Sequence, residues 1–328
     1  MRSDVARLPA SPGVYRFRDA GGRVLYIGRA TALRSRVASY WLNLGDRPHL
    51  ARMVRNVTRI EAVACQSVHE AAWFERNLLE ERMPRWNRTP GGAETPGYLL
   101  LDATARTPGL RMVHRAVPGV PGGDLPGGGP HPAAASPGTP PPGQLFGPYL
   151  GGTKIRQALS GLRRVYPLAY AGDRLTSAER DMAAKLGVRT ADRESLVAAL
   201  MAVLRREPAA VAHARGELER SRDRAAAELA FERAGRVQDE IRALEWITAP
   251  QRATTRDGGD GEVHGWADGV LVSFTIRGGR LCEWTQRRCS RPAAAQRLAA
   301  SPPAWAAFAQ HNADLAATLG DGSPAHDT

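Results

Sequence analysis

Cysteine is scarce in these 328 residues: Cys65, Cys282 and Cys289 are the only three, odd in number and far apart. That argues against a disulfide-stapled fold, and three such thiols alone do not make a zinc or iron–sulfur site. No apolar run approaches the ~18 residues of a membrane span, and no signal-like stretch follows Met1. The expectation is a reduced, cytoplasmic protein with no membrane partner. Lysine is almost missing too, since Lys154 and Lys185 are the only two among 45 basic residues. Arginine is the better fork for phosphate oxygens, but a GC-rich coding bias gives the same ratio, so the ratio alone decides nothing. His49, His69 and His114 have no metal-like spacing and receive no role.

What is present is positive charge. The net charge is +12 and the sequence pI about 10.5, a surplus that draws polyanions such as nucleic acid. Residues 1–101 hold 16 arginines against 9 acidic residues and read as one compact domain. A Pro/Gly-rich tract at 118–143 has too little apolar surface to offset its ordering entropy and reads as a loop. It belongs to a segment spanning 102–170, followed by a helical connector at 171–208. Residues 209–250 carry Leu218, Ala225, Leu229, Val237, Ile241 and Leu244 at helical spacing, which predicts a two-helix hairpin turning near 231–235. Over 256–328 the expectation is a β-hairpin from Gly269 to Trp284, turning at Gly278-Gly279, then one weak helix and a frayed tail.

The chemistry concentrates near the N-terminus. Val14–Arg18 and Arg23–Gly28 are strand-like, and with Asp19 to Gly22 as a four-residue turn, Tyr15 faces Tyr26. A two-residue Gly21-Gly22 turn would break that register. Gly28 ends the second strand, where a missing Cβ lets a backbone or a phosphate approach. Thr31 is a fair cap for a helix through Tyr40 whose buried stripe is Leu33, Val37 and Tyr40. Arg29 and Arg36 then project beside the hairpin, and two guanidiniums with two phenols suit a scissile phosphate. A third strand is expected at 59–65. Ser67 and Glu70 make a capping box, opening a helix on which Glu75 falls within the arc of Ala71, Phe74, Leu78 and Leu79. A carboxylate there needs a partner, and a divalent cation is one candidate. Asn87 follows the helix end and can reach back.

Taken singly, these residues have plainer readings: strand aromatics for Tyr15 and Tyr26, a surface helix residue for Arg36, a turn residue for Asn87. Taken in order they resemble the GIY-YIG nuclease signature of the excinuclease UvrC family. PGVYRF, LYIGRATALRSRVASYW and EAAWFERNLLEERMPRWN carry the match, with LFGPYLGGTKIRQALSGLRRVYPL at 145–168 and a UVR-like helical hairpin at 210–247. The resemblance implies an α+β fold: a small nuclease domain with a three-stranded antiparallel sheet flanked by helices, a helical region, and a small C-terminal β-hairpin. It implies catalytic roles for Tyr15, Tyr26, Arg29, Arg36 and Asn87, and one Mg²⁺ or Mn²⁺ on Glu75. DNA contacts would come from Gly28, Arg29, Arg34 and Arg36. The substrate would be damaged double-stranded DNA, nicked 3′ to a lesion in nucleotide excision repair. Leu229, Phe231, Glu232 and Asp239 would dock on the helicase partner UvrB.

Three departures bear on that docking and on the cofactor. Arg222, Gly235 and Gln238 stand where the family's hairpin has Met, Ala and Arg, and an arginine in a helical seam weakens it. No cysteine cluster precedes the hairpin, so no iron–sulfur cluster is expected. The part after 256 is short relative to UvrC, closer to the short Cho-like homologues. The competing functions are therefore a structure-specific nuclease independent of UvrB and a non-catalytic DNA- or partner-binding module.

Overall fold

The computed structural model describes residues 2–42, 48–88, 94–114, 143–256 and 258–320. The tract expected as a loop at 118–143 lies outside them, Gly143 apart. The chain divides into two units, Met1–Ala93 with Pro250–Thr328, and Glu94–Ala249. The five-part division expected from the sequence regroups accordingly: the C-terminal region joins the N-terminal segment, and residues 94–101 leave it.

In the first unit a short helix, α1 (Arg2–Arg7), precedes strand β1 (Gly13–Arg18), which pairs antiparallel with β2 (Val24–Ala30) and β3 (Arg59–Ala64). This is the expected three-stranded sheet, in the order β2-β1-β3. Strand alternation sends neighbours to opposite faces. Tyr15 and Phe17 join Ile60, Ala62 and Ala64 in a core with helix α2 (Leu33–Leu42), whose buried stripe is Leu33, Val37 and Tyr40 as expected. Arg16 and Glu61 go to the other face.

The register differs from the expected one. The Asp19 N–H donates to the Arg23 carbonyl at 3.0 Å and the Gly22 N–H to Asp19 at 2.9 Å, with Gly22 left-handed at φ +74°. That is a three-residue hairpin loop closed by a glycine. Leu25 then bulges out of β2, between the pairs Arg18↔Val24 and Phe17↔Tyr26. Tyr26 therefore faces Phe17, and Tyr15 faces Gly28. Thr31 does not cap α2 either: the N–H groups of Leu33 and Arg34 donate to the Ser11 and Pro9 carbonyls, each at 3.0 Å.

A three-stranded sheet has two edges with unpaired amides, and each is met by an asparagine. The Ile27 N–H donates to Asn87 Oδ1 at 3.0 Å, and Asn87 Nδ2 donates to the Ile27 carbonyl at 2.8 Å. On β3 the Ala64 N–H donates to Asn312 Oδ1 at 2.7 Å, and Nδ2 returns to the Ala64 carbonyl at 3.2 Å. A primary amide offers donor and acceptor side by side, so it replaces the peptide of a missing strand.

Asn312 lies on α11 (Pro303–Gly320), which follows α10 (Arg291–Ala300). The expected weak helix and frayed tail is thus corrected for the described residues: two helices are present, and α11 buries Phe308, Ala309, Ala313, Leu315, Ala316 and Ala317. Its alanines are small enough for close packing on a sheet, which a reading of polarity alone overlooks. The hairpin turning at Gly278-Gly279 is there as β8 (Val270–Arg277) and β9 (Arg280–Arg288), with an additional strand, β7 (Gly261–Ala267), beside it. Helix α3 (Pro48–Val54) was not expected. Helix α4 (Val68–Glu81) is buried on nearly every side. The Glu70 N–H donates to Ser67 Oγ at 2.9 Å, but the Glu70 carboxylate accepts from the Gln66 N–H at 2.7 Å rather than from the cap residue, so the box is half formed.

The second unit has a sheet that the sequence reading missed: β4 (Pro96–Asp102), β5 (Gly109–Val113) and β6 (Gln144–Leu150), ordered β5-β4-β6. Helices α5 (Gly152–Val165), α6 (Ser177–Leu186), α7 (Arg193–Leu204), α8 (Pro208–Ala227) and α9 (Phe231–Thr248) follow. The last two form the expected hairpin, but it turns at 228–230, with Leu229 at φ 60°, so Phe231 and Gly235 are helical. Leu218, Ala225, Val237, Ile241 and Leu244 are buried. Arg222 lies at the edge of that seam: it is one-third exposed and donates Nη1 across it to Gln238 Oε1 at 2.8 Å. Two departures from the family pattern pair with each other.

Asn312→Leu keeps the volume but leaves both Ala64 groups buried without partners. Urea unfolding is expected to show a loss of about 2–6 kcal/mol, at roughly 1–3 per orphaned group. A loss under about 1 kcal/mol would mean the β3 edge does not need this cap.

Candidate active site

Strand β1 sets Tyr15 on the core face, and its ring lies over β2. A Cβ built on Gly28 would stand 2.5 Å from Tyr15 Oη and 2.8 Å from a Tyr26 ring carbon. The space expected there for a phosphate is therefore taken by a phenol. Tyr15 is fully buried, and its hydroxyl is 2.8 Å from that of Tyr40. Tyr26, one pair along and diagonal, has its ring 6.3 Å from Tyr15 and 6.0 Å from Tyr40. The bulge at Leu25 sets this diagonal, and two phenols expected as cross-strand neighbours become part of a cluster of three. Residue spacing places Tyr40 on the apolar stripe, and the signal for its second role is the hydroxyl, which needs a partner at the buried end of that stripe.

Arg36, one turn before Tyr40, has its guanidinium carbon 5.4 Å from the Tyr40 ring. Burial works against its charge, but the phenols of Tyr15 and Tyr40 hold its pKa above the ordinary value. Burial, with Tyr40 and Tyr26 nearby, pushes the Tyr15 phenol well up. Tyr26 is raised by burial, by Tyr40 and by the charge of Glu75, with Arg36 opposing. Both phenols are held in the neutral, hydrogen-bonding form.

Glu75 comes from α4, and its side chain is 17% exposed. The Arg29 N–H donates to its Oε1 at 3.2 Å, and the Arg29 guanidinium lies 3.3 Å from its Oε2. The partner this carboxylate requires is thus, in part, the residue after Gly28. Asn87 works through the backbone: by holding Ile27, with the Trp86 N–H on the Leu25 carbonyl at 3.2 Å, it fixes the strand between Tyr26 and Gly28. Arg34 is not brought to the cluster; it is exposed and donates Nε to the Leu8 carbonyl at 2.7 Å. In the second unit, Leu229 and Phe231 are 73% and 67% exposed, Glu232 is exposed, and Asp239 pairs with Arg242 at 3.3 Å.

Residues 11–88 match the family model of the UvrC-like GIY-YIG domain. Over 290 residues the chain is 30% identical to the UvrABC system protein C of Mycolicibacterium paratuberculosis, covering 84% of this chain and 41% of that protein. With the protein of the same name from Mycobacterium tuberculosis strain H37Rv the identity is 30% over 293 residues, covering 84% and 42%. Among solved structures, the GIY-YIG N-terminal endonuclease domain of UvrC from Thermotoga maritima, bound to magnesium, is 29% identical. It covers 26% of this chain and 94% of that one, with a TM-score of 0.25. The fold and the family match define the N-terminal segment as a GIY-YIG domain. Residues 11–88 are a GIY-YIG domain of the UvrC-like kind. The chain as a whole spans about 41% of the length of the first of these relatives. Among the described residues no helix is long and apolar enough to cross a membrane.

The phenols give a pH prediction. In the unfolded chain Tyr15 and Tyr26 ionise near pH ~10, and in the folded protein at higher pH. Above ~10 the unfolded chain then binds fewer protons, so the stability from the neutral cluster is complete below that pH and lost as pH rises. The melting temperature is expected to fall above pH ~10, less steeply in Tyr15→Phe. An equally steep fall in the variant would show that Tyr15 does not supply this dependence.

Proposed function

We propose that this chain is a metal-dependent DNA endonuclease that makes a single-strand incision, 3′ to a lesion in nucleotide excision repair. The observation that carries the reading is the convergence of Tyr15, Tyr26, Tyr40, Arg36, Arg29 and Glu75 on one corner of the first sheet. The family match and the names of the relatives support it, as does the net charge of +12.

A divalent ion fits the donor set. Glu75 is the carboxylate beside the phenols and Arg29, and Mg²⁺ accepts one carboxylate with waters completing its shell. Mg²⁺ or Mn²⁺ held there would polarise the scissile phosphate and stabilise the leaving oxygen. The protein's own groups do the rest. Arg36, set beside the phenols, stabilises the negative charge that develops on the phosphate. Tyr26 orients the attacking water and Tyr15 fixes Tyr26. Orientation and deprotonation of that water are both roles open to Tyr26. Asn87 holds β2 in register so that Tyr26 and Arg29 keep their places.

The exposed Leu229 and Phe231 at the tip of the α8–α9 hairpin, with Glu232 and Asp239 on α9, support docking on UvrB. Arg222 and Gln238, which bond across the two helices, are the departures that set this docking against a nuclease recruited without UvrB.

The test is a 5′-labelled duplex with one bulky adduct, incubated with Mg²⁺ or Mn²⁺ with and without UvrB, using wild type and Glu75→Ala. A nick 3′ to the adduct is expected, absent in EDTA and reduced roughly 10²-fold or more in the variant. Nicking that ignores UvrB would transfer the enzyme to a different client. No metal-dependent nicking on adducted or branched duplexes would overturn the nuclease reading.

A further inference from the structure

On the β3 side of the first sheet, away from the β2 edge that carries Tyr26 and Arg29, there is a cleft of about 380 Å³. Its walls include Thr58, Arg59, Gln286, Arg287 and Arg288, with Asp4 as an acidic member. The balance of charge around it is positive. Glu61, 2% exposed, accepts Arg16, Arg18 at 2.9 Å and Arg59 at 3.2 Å, so three guanidiniums share one carboxylate. Arg287 and Arg288 are exposed, and neither closes an ion pair among the described residues.

Gln286 adds a second indication. Its Oε1 accepts from Arg59 Nη2 at 3.4 Å, which orients the amide, and its buried Nε2 then has no acceptor among the described residues. The wall is rich in donors and short of acceptors, which suits phosphate oxygens. Arg287 and Arg288 both line the cleft, and as consecutive residues of β9 they start from opposite sides of the strand, which spreads their guanidiniums apart. Such a pair does not converge on one small anion; it can reach separate phosphates along a backbone.

We propose that this cleft is a second, sequence-independent contact for the phosphate backbone of nucleic acid, separate from the site that holds the scissile phosphate. The proposal rests on the nuclease reading and extends it: DNA engaged at the phenol cluster would also be held at the β3 side. Phosphate contacts position a duplex without reading its sequence.

Binding of a fluorescein-labelled duplex, followed by anisotropy in EDTA from about 50 to 300 mM KCl, tests it with wild type, Arg287→Ala/Arg288→Ala and Arg287→Lys/Arg288→Lys. Each phosphate contact contributes about −0.9 to the slope of log K against log salt. The alanine pair is expected to flatten the slope by about 1.8 and weaken binding about tenfold or more near 0.15 M salt, and the lysine pair to keep the wild-type slope. An alanine pair with the wild-type slope would overturn the second contact and leave the nuclease reading intact. Wild type with no salt-dependent duplex binding would likewise overturn the second contact, while the nuclease reading stands or falls on metal-dependent incision of the adducted duplex.

Discussion

The contact between the Tyr15 and Tyr40 hydroxyls, 2.8 Å long and buried, is the interaction around which the site is arranged. A buried hydroxyl without a partner is costly, so each phenol fixes the other. For the bond to form, the Tyr15 ring must lie over Gly28, which only the absence of a Cβ permits. Helix α2 must also enter at a set angle, which the Ser11 and Pro9 carbonyls impose on its first N–H groups. Those two requirements bring Arg36 to the phenols and place Tyr26 beside them. Any change that tilts α2 or fills Gly28 would disturb the whole cluster.

Strand β1 serves two cores at once. One residue beyond Tyr15, Arg16 leaves by the opposite face, pairs with Glu61, donates to the Trp284 carbonyl at 2.9 Å and lies 3.9 Å over the Trp284 ring. Burial pulls the Arg16 pKa down to about 10, although Glu61 works to hold it up. Burial also works against the Glu61 charge, but Arg16, Arg18 and Arg59 keep its carboxyl below the ordinary value. The pair therefore stays charged. The β7–β9 sheet and α11 thus complete the unit that carries the site, through Trp284 behind β1 and Asn312 at the β3 edge.

The sequence was informative where periodicity and caps act locally. Strand positions, the α2 stripe, the start of α4 and the helical hairpin could all be read from residue spacing. The hairpin register could not, because it depends on a bulge at Leu25 that no turn residue marks. Tyr40 passed for core because its place on the stripe is that of an apolar residue, and only the tertiary fold puts its hydroxyl against Tyr15. The strand at 261–267 was missed because Glu262, His264 and Trp266 interrupt the apolar pattern. The role of α11 was missed because an alanine-rich segment looks weak until a sheet is placed against it. Glu75 was found as a carboxylate in need of a partner, but the pairing with Arg29 required two elements to be brought together. That pairing makes Arg29 the cationic partner of Glu75, and under the proposed function the same guanidinium would exchange the carboxylate for a phosphate.

The central claim is that the phenols and the carboxylate act as one site. The direct measurement is a double-mutant cycle on the single-turnover incision rate with Tyr26→Phe, Glu75→Gln and the double variant. Groups that act as a unit are strongly non-additive, so the double variant is predicted to be about as slow as the slower single one. Effects that add in free energy would show that Tyr26 and Glu75 work independently, and would contradict the account.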